Sequence, residues 1–197
     1  MRMNGLLLRA FISSMMAFVP AASAAAVGAK CITGKPTAAS YTWNFRKEAD
    51  QIFEDIQADA AQAQYHADKL QSFGLDEELS WESHALELSQ IRSAINDMGE
   101  RLCRLETIRR VVAPWQQKTI DRIAVTVRLM ADNAEDAIVF GNNNQRTLWR
   151  PAFQKYTNNL VQEANSLNHS AETAVEYAKT HTQDQQMKRA IETKSSS

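Results

Sequence analysis

Histidine, methionine and carboxylate side chains are the residues whose types and spacing could form a metal site. His66 and His84 lie on either side of a glycine-containing turn, at similar distances from it, so a helical hairpin would bring the two imidazoles to similar heights. The same layer would hold Met130 or Asp132 from a third helix and Tyr156 from a fourth. Imidazole, thioether and carboxylate groups suit a transition metal such as copper. The alternative, which needs no metal, is solvated or hydrogen-bonded histidines.

The two cysteines, Cys31 and Cys103, form the second pair with chemical potential. Their spacing is not Cys-x-x-Cys, which argues against a redox enzyme. In an oxidising compartment a disulfide between them would fix the N-terminal segment to the rest of the fold. It would close a loop of about 70 residues, contributing up to about 4 kcal/mol on a chain-entropy model. The alternative is a buried, free Cys103 and an unpaired Cys31.

The motifs of common enzymes and cofactor-binding proteins do not occur in this sequence. It contains no glycine-rich phosphate loop, no Gly-x-Ser-x-Gly and no His-Glu-x-x-His. It also lacks Glu-x-x-His, which marks di-iron bundles, and Cys-x-x-Cys-His, which marks covalent haem. We therefore predict a protein that is not an enzyme and has no cofactor, apart from the transition-metal site considered above.

Charge is unevenly distributed, although the formal net charge is only −1. Acidic residues dominate positions 76–87 and recur near position 135, and basic residues gather around positions 101–122. Opposite charges at helix ends are what the helix dipole favours. A basic docking surface for an acidic protein or an anionic envelope polymer would leave the same pattern. The candidate docking residues are Arg101, Arg104, Arg109, Arg110, Lys118 and Arg122, joined at the same end by Arg46 and Lys47. Dense Lys/Arg runs are missing, so nucleic acid is not an expected partner.

The first 24 residues have the organisation of a cleaved secretory signal peptide. Arg2 and Arg9 precede a short apolar run over positions 10–19, and small residues follow up to the expected cleavage site after Ala24. The apolar run is about half the roughly 20 residues that a spanning helix needs, although an uncleaved anchor is the alternative. We expect an exported protein, periplasmic or extracellular, with no membrane span after cleavage and a flexible tail over residues 25–41.

Four long segments with helical periodicity follow the tail. They cover about residues 43–72, 77–112, 114–140 and 147–181, and no alternating β-strand pattern occurs. Gly74 and Gly141 lie between segments and Pro114 begins the third, so short connections would make successive helices antiparallel. The prediction is an all-α, up-down-up-down four-helix bundle over residues 42–182, followed at 183–197 by a helical extension or a disordered tail. Pro114 leaves a second option, in which the second and third helices form one bent rod.

We therefore interpret the chain as an exported, non-enzymatic interaction module that binds a protein partner or an anionic envelope component. Its oligomeric state is open, with a homodimer as one option. The alternative is a carrier of a small apolar ligand or a metal inside the bundle, for which the residues to test are His84, Met98, Met130 and Tyr156.

The intact mass of protein exported with its own signal tests the N-terminal predictions. Under non-reducing conditions the mass should correspond to a chain beginning at Ala25 and lighter by two hydrogens, because the Cys31–Cys103 bond removes both thiol protons. Reduction should restore the two hydrogens. A mass that does not change on reduction would contradict the disulfide, and a mass that includes residues 1–24 would contradict the signal peptide.

Overall fold

A computed structural model describes residues 44–195, and within that range the protein is entirely helical apart from its short connections. The four helices are α1 (Phe45–Phe73), α2 (Trp81–Ile108), α3 (Pro114–Asn143) and α4 (Pro151–Ser195). A single 3-10 turn, Arg109–Val111, follows α2, and the described residues contain no β-strand. The all-α prediction is confirmed.

The four helices pack as a ring of neighbours. α1 packs against α2 and α4, and α3 packs against α4 and α2. Side-chain contacts between α1 and α2 show the relative direction of these two helices. Glu48, near the start of α1, contacts Arg104, near the end of α2. His66, near the end of α1, contacts Glu87, near the start of α2. The two helices therefore run antiparallel.

The core consists of one apolar stripe from each helix, as the periodicity predicts. On α2 the buried stripe runs from His84 and Leu88 to Leu105. Alanines line much of the buried side of α1 and of the second half of α4. Small side chains let helix axes approach closely. At one end the core is closed by Trp115, whose ring lies 6.1 Å from Phe53 and 4.8 Å from Tyr177 between centroids.

The connection between α2 and α3 is a break in the chain direction. α2 ends at Ile108, the 3-10 turn follows, and Pro114 occupies the first turn of α3, where its missing N–H costs nothing. Gln116 stabilises this start, because its side-chain oxygen accepts a hydrogen bond of 2.8 Å from the Ala113 N–H. The two helices are separate and pack against each other, so the bent-rod option is wrong.

Several helix boundaries differ from the sequence-based ones, at both ends of α2 and α4 and at the end of α3. Before α2, the carboxylate of Asp76 accepts a hydrogen bond from the Glu78 N–H in a turn, and Ser80 is the N-cap of the helix. α3 continues past Gly141 to Asn143, and the side chain of Asn144 then donates to the Phe140 carbonyl. α4 begins at Pro151, and its 45 residues continue to Ser195, beyond the expected end near position 181.

The C-terminal part of α4 extends beyond the other helices. At 1.5 Å per residue α4 is about 67 Å long, against about 45 Å for α3. From Lys179 to Lys194 every residue is exposed, so this extension contributes little to the core. In the described part of the chain no helix is long and apolar enough to cross a membrane. The predicted signal peptide, the tail at 25–41 and Cys31 lie outside the described residues.

Removal of residues 183–197 should leave the free energy of unfolding unchanged within about 0.5 kcal/mol, because the side chains lost up to Lys194 are exposed and bury no core surface. Urea unfolding of the truncated and full chains measures this. Phe153→Ala is the control, because Phe153 is fully buried and its truncation should cost about 3–5 kcal/mol. A truncation loss as large as that of the control would contradict the expectation.

Candidate docking surface

Arg101 and Arg104 on α2 are both engaged by carboxylates of α1. Arg104 Nε donates to Glu48 Oε1 over 2.6 Å. Arg101 Nη1 lies 3.3 Å from Asp59 Oδ2, a carboxylate buried in the seam between the helices. Burial raises the pKa of Asp59, and the positive charge of Arg101 offsets part of that rise. These two arginines pair α2 with α1.

Arg109 closes the turn between α2 and α3. Its Nη2 donates to both carboxylate oxygens of Asp121, at 2.8 and 2.7 Å, and its Nε donates to Oδ1 at 3.0 Å. A guanidinium and a carboxylate in this forked geometry form one of the more specific ion pairs in proteins. Half of the six predicted docking residues therefore hold the fold together.

The remaining basic residues are exposed and divide between two places. Arg110 lies in the 3-10 turn, at the same end of the molecule as Arg46 and Lys47 in the first turn of α1. We name these three residues the basic end. A hydrogen bond from Gln116 Nε2 to the Arg46 carbonyl, 2.9 Å long, ties the start of α1 to the start of α3. Lys118 and Arg122 lie on the solvent side of α3. Among residues 44–195, none of these five side chains forms an ion pair.

The candidate metal ligands are not brought together as a set. His66 Nδ1 lies 2.7 Å from Glu87 Oε2, and Asp132 is exposed on α3, away from the buried Met130. Tyr156 packs its ring against that of Phe140. Within the described range, no cluster of three or more His, Cys, Asp or Glu side chains could hold a metal ion.

His84 is buried as a core residue near the opposite end. Its Nδ1 lies 3.1 Å from the Ser80 carbonyl, one turn earlier. Its ring packs edge-on against Phe73 and Phe153, with centroids 5.8 and 5.7 Å away. Its Nε2 is buried and has no hydrogen-bond partner among the described residues. This environment matches a packed histidine better than a metal ligand.

Sequence reasoning missed a buried carboxylate on α2. Glu87 is only 2% exposed, and its two oxygens are shared between His66 and Lys69 of α1, each at 2.7 Å. Burial by itself raises the pKa of Glu87, but the hydrogen bonds from Lys69 and His66 outweigh it, so the pKa lies below its usual value. The signal in the sequence is that Glu87 lies next to Leu88 of the apolar stripe, where a solvated carboxylate would not be expected.

A second carboxyl that the sequence did not reveal lies in the seam between α3 and α4. Glu163 Oε1 accepts a short hydrogen bond from Asn133, whose own side-chain oxygen accepts one from Asn159 at 3.2 Å. Glu163 Oε2 is buried without a hydrogen-bond partner in the described chain. Burial raises the pKa of Glu163 to about 7; the Asn133 hydrogen bond opposes this rise and the charge of Asp132 adds to it.

Two open surface pockets occur among the described residues. One, of about 400 Å³, is formed by the α3–α4 loop, Asn142–Thr147. The other, of about 320 Å³, lies over the seam of α1 and α4 near Gln71 and Asn158. Both are lined mainly by amide, hydroxyl and charged groups, and neither contains a histidine or a cysteine to act as base or nucleophile.

The fold and surface define an all-helical protein with four helices, internally paired seams and unpaired cations at one end of the described chain. Comparison with protein-family models, with curated proteins and with solved structures gives no match for this chain. Any assignment of function therefore rests on the residues themselves.

The raised pKa of Glu163 predicts a dependence of stability on pH. Because the folded state holds this proton more tightly than the unfolded chain, its contribution to stability falls as the pH rises from about 4.5 to about 7. Glu163→Gln should remove that fall and be more stable than the wild type at pH 8. We expect a difference of about 1 kcal/mol, since the side chain is partly exposed and solvent screens the effect.

Urea unfolding at pH 5 and pH 8 measures the effect. Glu176→Gln, an exposed change on the same helix, is the control and should follow the wild type at both values. A Glu163→Gln variant whose stability relative to the wild type is the same at both pH values would refute the assignment.

Proposed function

We propose that this protein is an exported, non-enzymatic interaction module, in which an up-down-up-down bundle presents its basic end to an acidic protein partner. The antiparallel α1–α2 pair and the ring of helix neighbours support the bundle topology. The signal-like first 24 residues support export. The basic end, Arg46, Lys47 and Arg110, supports the docking role.

The observation that carries the proposal is the position of Arg46 and Lys47. They lie in the first turn of α1, where the helix dipole is positive and disfavours cations. Dipole compensation therefore accounts for Arg109 and Arg110 after α2 but not for these two residues. They are exposed and lack ion-pair partners in the described range. An acidic partner at this end would compensate their charge, and it would associate faster at low salt.

The carrier hypothesis receives less support from the same structure. Of its four residues, Met98 and Met130 are fully buried in the common core, and His84 is enclosed by Phe73 and Phe153. Tyr156 is packed against Phe140. Each side chain thus already has a packing role, so a ligand in this layer would have to displace core contacts.

Reversal of the basic end should weaken partner capture by about tenfold or more, equivalent to about 1.4 kcal/mol. The variant is Arg46→Glu, Lys47→Glu and Arg110→Glu, and capture is measured with a photo-reactive residue at exposed Val111 in the exporting cell. The expected result is one acidic protein cross-linked by the wild type and lost in the variant, with helicity unchanged by circular dichroism.

The matched control reverses three exposed cations at the other end: Arg146→Glu, Arg150→Glu and Lys155→Glu. It has the same change in net charge and should retain capture. If both triple variants capture the protein as the wild type does, the basic end is not the docking surface. If the adduct is an anionic polymer, the partner class is wrong.

A further inference from the structure

The solvent side of α3 carries six exposed residues in an ordered pattern. At 100° per residue they lie within about 40° of one common direction on the solvent side of the helix. We name this set the outer face of α3. It runs from two cations through two apolar residues to two acids: Lys118, Arg122, Val125, Leu129, Asp132 and Asp136. Val125 and Leu129 are 61% and 51% exposed, although both are large apolar side chains.

The helix dipole does not explain the order of charges on this face. Cations lie in the N-terminal half of α3 and acids in the C-terminal half, but all four lie outside the first and last turns, where the dipole acts. None of the four charged side chains forms an ion pair within residues 44–195. Asp121, at the edge of the face, is already neutralised by Arg109. Neither the dipole nor internal pairing therefore accounts for the pattern.

The pattern is symmetric about position 127. Lys118 and Asp136 are equally far from it, as are Arg122 and Asp132, and Val125 and Leu129. At 1.5 Å per residue the three pairs lie about 13, 8 and 3 Å from the centre. A two-fold axis at this point would lay a second α3 antiparallel on the first. Each cation would then face an acid of the other copy, and the apolar residues would meet at the centre.

We propose that the outer face of α3 is a self-association surface whose partner is a second copy of this chain. Closed two-fold dimers use the same patch on both subunits, so that patch must be complementary to itself. The outer face of α3 is complementary to itself both in its charges and in its apolar residues. Lys118 pairs with Asp136 of the other copy, Arg122 pairs with Asp132, and Val125 packs against Leu129. An unrelated acidic partner would match the two cations but would leave Asp132 and Asp136 facing its own acids.

This inference goes beyond the proposed function and does not depend on it. The basic end shares no residue with the outer face of α3, so a dimer leaves both basic ends open and presents two of them. The contact is one helix on another, smaller than a standard interface, and we expect a dissociation constant of about 1–100 µM. Screening of the four ion pairs by salt should weaken it.

Charge exchange between variants tests the pairing directly. Sedimentation of the purified, full exported protein over a concentration series should show a monomer–dimer equilibrium. Lys118→Glu with Arg122→Glu should be monomeric, because acids then face acids, and Asp132→Lys with Asp136→Lys should be monomeric for the opposite reason. An equimolar mixture of the two variants should form a dimer containing one copy of each, identified by native mass.

The control pair, Arg146→Glu with Arg150→Glu, lies off this face and should dimerise as the wild type does. Restoration in the mixture also shows that both monomeric variants are folded. A wild type that stays monomeric over the whole series overturns the proposal, as does a mixture that stays monomeric. Because no other molecule is present, these results are independent of whether the basic end captures a partner.

Discussion

The fold depends on the burial of four apolar stripes that no single helix can bury alone. In proteins most of the stability of an amphipathic helix comes from the face that it packs rather than from the helix propensity of its residues. Here each stripe completes the burial of two neighbours, so the helices form one cooperative unit. The alanine-rich sides of α1 and α4 give this pair a close approach, which brings side chains at the seam edges within reach of one another.

Close seams determine what happens to charged groups. A carboxylate enclosed between two helices loses hydration and must gain a partner. Glu87 gains two, from His66 and Lys69, and Asp59 gains Arg101. Arg101 offsets only part of the effect of burial, so the pKa of Asp59 is still raised. Glu163 gains only the neutral Asn133, and its pKa is raised to about 7. The contrast shows that the charge of the neighbour, together with burial, sets the size and sign of the shift.

The same reasoning explains which parts could be predicted from the sequence. Periodicity depends only on residues along one helix, so the all-helical class and the buried stripes were accessible. The ion pairs between helices could not be predicted in this way. Arg104 and Glu48, for example, are 56 residues apart, and their contact depends on how each helix is rotated about its axis. Six basic residues that look alike in sequence therefore divide into Arg101, Arg104 and Arg109, which join helices, and three that face solvent. Glu163 could not be recognised, because its burial comes from its seam with another helix.

The position of a cation along its helix, more than the local density of charge, separates cations that the monomer itself explains from cations that it does not. A cation at a helix C-terminus, such as Arg110, is favoured by the dipole and needs no partner to explain it. A cation in a first turn, such as Lys47, works against the dipole, whereas the cations that precede acids on the outer face of α3 lie outside the turn where the dipole acts. Since the described chain neutralises neither set of cations, we attribute their compensation to the partners proposed above.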